Sequence, residues 1–168
     1  MTSLKSIETK LNDIFKGLPA MPDSGKESLV KAWPYIALIF GILQLIAAWS
    51  LWRLTSYAER LSNLVALYTA TNPLSSYDKT IIYLGVIMLV VDAVILLMAY
   101  PHLVTRSRKG WDLLFLAALV NVGGGVVQIF INGRGFGSFI FGLLGSAVGF
   151  YLLFQVRAKY SKGSAASS

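Results

Sequence analysis

Ile81–Tyr100, IIYLGVIMLVVDAVILLMAY, is an apolar run of twenty residues with one acidic side chain, Asp92, just past its middle and no basic one. At about 1.5 Å per residue, a helix of this length covers roughly 30 Å, the hydrocarbon thickness of a bilayer. A carboxylate at that depth is costly unless it is neutralised, paired or wetted. Three further apolar runs, 33–52, 111–131 and 136–156, can surround it. The expected fold is all-α: a polytopic four-transmembrane-helix up-down bundle, with 33–156 as the membrane domain.

Composition agrees. Hydrophobic residues make up 55% and charged residues 14% of the chain, against about 25% charged in soluble domains. With no cysteine and one histidine, His102, the chain offers no metal site and no cysteine nucleophile. The net charge of +7 does not argue for nucleic acid, because the basic residues sit at membrane borders rather than along one soluble face. A cleavable signal peptide is not expected: the first apolar run follows a mixed-charge segment and is long enough to span.

Residues 1–32 form an amphipathic segment. Leu4, Ile7, Leu11, Ile14, Phe15 and Leu18 recur at helical spacing opposite Lys5, Glu8, Lys10, Asp13 and Lys16. This helix either lies flat in the interface or packs on the domain's own cytosolic face. Pro19 and Pro22 break it, and Ser24–Glu27 has the spacing of a capping box that starts the next helix. Trp33, Trp49 and Trp52 mark the ends of the first span, with Pro34 in its first turn. The long connection 54–80 holds a second amphipathic helix to about Ala70, with Leu54, Tyr57, Ala58, Leu61, Leu64, Val65 and Tyr68 on one face, then a turn at Asn72-Pro73. Pro101 stops the second span, Trp111 marks the edge of the third, and Asn132–Gly135 turns into the fourth. Residues 157–168 read as a disordered basic tail.

Small and polar residues mark contact faces between membrane helices. The first span carries Ala37, Gly41, Gln44 and Ala48; the second Gly85, Asp92 and Ala99; the third Ala117, Asn121, Gly124 and Gln128; the fourth Ser138, Gly142, Gly145 and Gly149. Packed inward, these stripes gather Asp92, Gln44, Asn121 and Gln128 at mid-depth, with Gly41, Gly85, Gly124, Gly142, Gly145 and Gly149 letting helices approach. Asp92 is then either a protonatable or cation-binding carboxylate, or an acid hydrogen-bonded to Gln44 or Asn121 that serves packing alone. Arg106, Arg108 and Lys109 set topology and offer contacts to anionic head groups.

No catalytic constellation is present. NGRGFGS lacks the Lys-Ser/Thr ending of a phosphate loop and follows no strand, so a tight turn with close helix packing is expected there. No paired-carboxylate or Ser/His/Asp arrangement falls at one depth. The expectation is a non-enzymatic membrane protein without cofactor, acting as a scaffold or accessory subunit. Its partners would be the bilayer, anionic lipids, and a second copy or another membrane protein. The alternative is a small proton- or cation-coupled transporter or channel using Asp92. The stretches LPAMPDSGKESLVKAWPYIALIFGIL, RSRKGWDLLFLAAL and LLGSAVGFYLLFQVR resemble small uncharacterised four-span bacterial membrane proteins. That resemblance implies the four-span fold and brings no activity or site residues with it.

Orientation follows from Lys and Arg. Lys5, Lys10, Lys16, Lys26 and Lys31, then Arg106, Arg108 and Lys109, then Arg157, Lys159 and Lys162 share one side; Arg53, Arg60, Lys79 and Arg134 share the other. Both termini are expected in the cytoplasm of a multi-pass cell-membrane protein. Cysteines placed at Ser56 and Ser164 should therefore react with a membrane-impermeant maleimide from opposite sides; reaction from one side would refute this topology.

Overall fold

The computed structural model describes residues 2–15, 17–69, 71, 74–132 and 136–161. They form helices α1 (Thr2–Phe15), α2 (Asp23–Thr69), α3 (Ser76–Val104), α4 (Arg108–Asn132) and α5 (Phe136–Ser161), with no strand among the described residues. Two helices, α2 and α3, are long and apolar enough to cross a membrane. Sequence neighbours pack in order, α2 on α3, α3 on α4 and α4 on α5, while α5 touches α2 less and α1 docks on α5.

Several boundaries differ from those expected. The first apolar run and the amphipathic segment after it are one helix of 47 residues. No glycine or proline lies between Trp52 and Thr69, and Thr55 and Ser56 direct their hydroxyls to the Leu51 and Trp52 carbonyls at 2.8 and 3.1 Å, so nothing ends the helix there. Its start is Asp23 rather than a capping box at Ser24; Lys26 N–H donates to the Pro22 carbonyl, and Glu27 is committed elsewhere. Pro34 lies well inside α2, where its missing N–H leaves the Val30 carbonyl without an i+4 donor. The capping box occurs instead at α3, where Ser75 and Asp78 cap reciprocally. At the other end, α3 continues past Pro101 to Val104, and α5 runs through 157–161, part of the expected tail. The Asn72-Pro73 turn, residues 133–135 and residues 162–168 lie outside the described residues.

The α3–α4 reversal is tight for a definite reason. Arg106 has φ 51°, and Ser107 N–H donates to the His102 carbonyl at 2.9 Å while Arg106 N–H donates to that of Leu103 at 3.0 Å. This is a Schellman ending with arginine where glycine is usual. It folds α4 back so closely that a Cβ on Gly110 would stand 2.7–2.9 Å from the His102–Leu103 backbone.

The core lies at this end. Val30 and Ala37 of α2, Ala99 and Leu103 of α3, Trp111, Leu114 and Phe115 of α4, and Phe150, Leu153, Val156 and Tyr160 of α5 form one cluster, with Leu11 and Phe15 of α1 packed on it. Trp111, expected at a membrane edge, is completely buried. Its N–H meets the Leu153 carbonyl at 2.8 Å, its ring stacks on Phe115 at 5.3 Å, and Phe154 meets it edge-on at 5.5 Å. Of the two placements open to α1, docking on the chain's own end is the one seen: Phe15 stacks on Phe154, leaving Ile7, Ile14 and Leu18 exposed.

The glycine stripes divide. A Cβ at Gly41 would meet Leu97 at 3.0 Å and the Ala93 carbonyl oxygen at 3.3 Å, and one at Gly124 would meet the Met88 methyl at 3.1 Å. Gly85 is half-buried in α3. At Gly145 and Gly149 a Cβ would meet nothing within 4 Å among the described residues. Periodicity marks a face without saying what lies against it. Gly142 and the side chain of Gln128 lie outside the described residues. Gly110→Ala should destabilise the fold by about 1–3 kcal/mol, because backbone must shift, whereas Gly145→Ala should leave it unchanged or raise it through helix propensity. Melting temperatures in a mild detergent compare the two; equal loss at both would refute this packing.

Candidate functional site

The second candidate span brings one acid between two amides. Asp92 on α3 is 3% exposed. Gln44 Nε2 of α2 and Asn121 Nδ2 of α4 each donate to its Oδ2 at 2.7 Å, and Asn121 Nδ2 also reaches the Ala117 carbonyl at 3.3 Å. The two donors arrive from the flanking helices because each is the polar member of a stripe of small residues, which lets the backbones approach. One turn from Gln44, Gly41 meets α3 at Ala93 and Leu97, so glycine and amide share a face.

The arrangement is lopsided. Oδ2 takes both donors, while Asp92 Oδ1 and Gln44 Oε1 are buried with no hydrogen-bond partner. No Lys, Arg or His forms an ion pair with Asp92 among the described residues. Nor does any group of three or more His, Cys, Asp or Glu suited to a metal occur among them. Two buried acceptors without donors cost about 1–3 kcal/mol each. Of the two, the Asp92 carboxylate is the group that can take up a proton.

A second polar cluster lies at the end where α1 docks, and periodicity alone did not indicate it. Glu8 of α1 pairs with Arg108 of α4, and with Arg157 of α5 at 2.5 Å. Arg108 also reaches Asp112 at 3.0 Å and lies 4.4 Å over the Trp111 ring, with Arg157 at 5.6 Å from the same ring. Arg106 pairs with Glu27 of α2 at 2.5 Å. Two of the three residues expected to contact head groups, Arg106 and Arg108, are therefore engaged within the chain; Lys109 is exposed. The available signal was Glu8 on the polar face of α1 facing a basic loop, but nothing in the sequence fixes which base it meets. Burial pushes the Tyr160 phenol up to about 12, the neighbouring Arg106 opposing in part.

No family model, curated protein or solved structure matches this chain. The site stands on its own geometry.

The Arg106 hydrogen bond holds the Glu27 carboxyl below its usual range, against a smaller opposing effect of desolvation. A carboxyl lowered in the folded state contributes stability above its unfolded pKa, about 4.3, and loses it as pH falls through the folded value. Glu27→Gln should lower the melting temperature slightly at pH 7, since the pair is partly exposed. The difference from the parent should close on the acid side of that value. A gap that persists unchanged at pH 2 would assign the effect to packing instead.

Proposed function

We propose that this chain is a non-enzymatic integral membrane protein of four spans with both termini in the cytoplasm, acting as a scaffold or accessory subunit of a membrane complex. The observation that carries this reading is the use made of Asp92. Its bonds run to neutral amides on two other helices, so the one acid in the apolar interior ties α2, α3 and α4 together. Interhelical hydrogen bonds of this kind supply cohesion where lipid removes the hydrophobic force between helices.

The four-span reading draws on further features. Ile39, Phe40, Leu43 and Ile46 on α2, and Ile87, Val91, Val94 and Met98 on α3, are exposed large side chains that hydrocarbon would cover. Helices α4 and α5, of 25 and 26 residues, reach roughly 38 Å at 1.5 Å per residue, enough to cross. The basic residues gather where α1, the α3–α4 reversal and the end of α5 meet, as a cytoplasmic face requires.

One observation favours a second reading. The unpartnered Asp92 Oδ1 and Gln44 Oε1 are the oxygens a proton- or cation-coupled transporter would use. Asp92→Asn separates the two. A scaffold keeps its melting temperature and shows no pH-driven flux in reconstituted vesicles before or after the change. Asp92→Leu leaves the Gln44 amide without its acceptor and Asn121 with the Ala117 carbonyl alone, and should cost about 1–2 kcal/mol. A robust flux that vanishes in Asp92→Asn while the fold persists would replace the scaffold with the transporter.

A further inference from the structure

Helix α2 is too long for the bilayer it enters. From Trp33 to Thr69 it extends roughly 55 Å at 1.5 Å per residue, and covering that length within about 30 Å of hydrocarbon would need more tilt than the 0–40° range of membrane helices. Its partner helix agrees on where water begins. Glu59 accepts from the Tyr83 hydroxyl at 3.3 Å and Ser62 Oγ accepts from Leu74 N–H at 3.2 Å, so the distal part of α2 lies beside the Asp78, Lys79 and Ser75 end of α3.

In this distal part the amphipathic pattern is inverted. The face turned to α3 buries Thr55 and Ser62, at 3% and 4% exposure, while the leucines and tyrosines face outward. Leu54, Tyr57, Leu61, Leu64 and Tyr68 are 66%, 58%, 64%, 55% and 89% exposed. Their spacing alternates three and four residues over two heptads, the spacing of an a/d seam. The same track continues back towards the bilayer through Ser50 and Ala47, both exposed. Small residues suit close approach in lipid and large apolar ones suit burial from water, and the track changes type near Arg53, where one medium gives way to the other.

We propose that this seam pairs with the same seam of a second copy, giving a parallel two-stranded coiled coil that projects from the non-cytoplasmic face. The proposal rests on the four-span reading and specifies the partner that a scaffold of this kind holds. Two copies inserted with the same topology present α2 in the same direction, so the strands run parallel and Leu61 meets Leu61. In that register Arg53 and Arg60, beside the seam, come opposite Ala58 and Val65 of the second copy, which avoids a clash of like charges. Fully covered, the five seam side chains would bury at most roughly 600–700 Å² per copy, somewhat below the ~800 Å² per partner of a standard interface. The Ala47–Ser50 approach adds to it.

The chain has no cysteine of its own, so a single introduced one reports alone. Leu61→Cys in native membranes should oxidise to a species of twice the chain mass, while Asn63→Cys, exposed and more than a third of a turn away, should not. In mild detergent the parent should have the mass of two chains and the double variant Leu61→Glu, Leu64→Glu that of one, with circular dichroism unchanged because neither residue is in the chain's core. Absence of the Leu61 cross-link, equal cross-linking at 61 and 63, or a product of another mass overturns the second-copy assignment. Asn63→Cys also reports topology: labelling from the non-cytoplasmic side with no Leu61 cross-link discards the pair and keeps four spans. A Leu61 cross-link without that labelling keeps the pair and discards the topology.

Discussion

Trp111 is the residue through which the described helices are held at one end. Its ring is fully buried, stacked on Phe115 and met edge-on by Phe154, and two guanidinium groups lie near its face. The indole N–H takes up the Leu153 carbonyl at 2.8 Å, so a polar atom that would be costly to bury becomes the link between α4 and α5. Glu8 then closes the arrangement from α1 by pairing with the same two arginines that lie over the ring. Each of these charges is only partly shielded from water, and a pair of this kind alone contributes about 1 kcal/mol or less. The network gains from sharing: Glu8 serves two arginines at 12% side-chain exposure, and the ring beneath them excludes water from one side.

The tight α3–α4 reversal is what puts Trp111 there. An arginine in the left-handed region costs roughly 1 kcal/mol or more compared with glycine, and here the same residue forms the ion pair to Glu27. Gly110, one residue before the tryptophan, passes against the His102–Leu103 backbone with no room for a side chain. Turn geometry, ion pair and backbone contact thus act within five residues, 106–110, which leaves α4 little freedom to slide.

Helix positions were legible because they depend on local pattern: long apolar runs, turn residues, and stripes of small and polar residues. The Asp92, Gln44 and Asn121 grouping was legible for the same reason, since a buried acid restricts its neighbours to groups that can donate. What could not be read was anything that depends on which surface meets which. A tryptophan next to a basic loop looks the same whether it faces lipid or core, so the burial of Trp111 could not be read from the pattern. Gly145 and Gly149 repeat with the period of a contact face, yet a Cβ on either would meet nothing within 4 Å among the described residues. The continuity of α2 through Arg53 was missed because a change from apolar to amphipathic composition was taken for a change of element. Composition responds to the medium around the helix, while only a breaker residue ends it.

The acid in the apolar interior is better explained by register than by stability. Replacing a buried polar group and its partners by apolar side chains of similar shape is often neutral or stabilising, and two oxygens of this site already lack donors. Leucine against leucine in hydrocarbon discriminates poorly between one alignment and the next. Sliding α2 by one turn, about 5.4 Å, would carry Gln44 out of reach of Asp92 and bring a larger residue to the place of Gly41, where even a Cβ would stand 3.0 Å from Leu97. An attraction and a steric exclusion, one turn apart on the same helix, therefore select the same alignment. Asn121 extends that choice to α4 through the same carboxylate oxygen. Three helices are set in register by one acceptor.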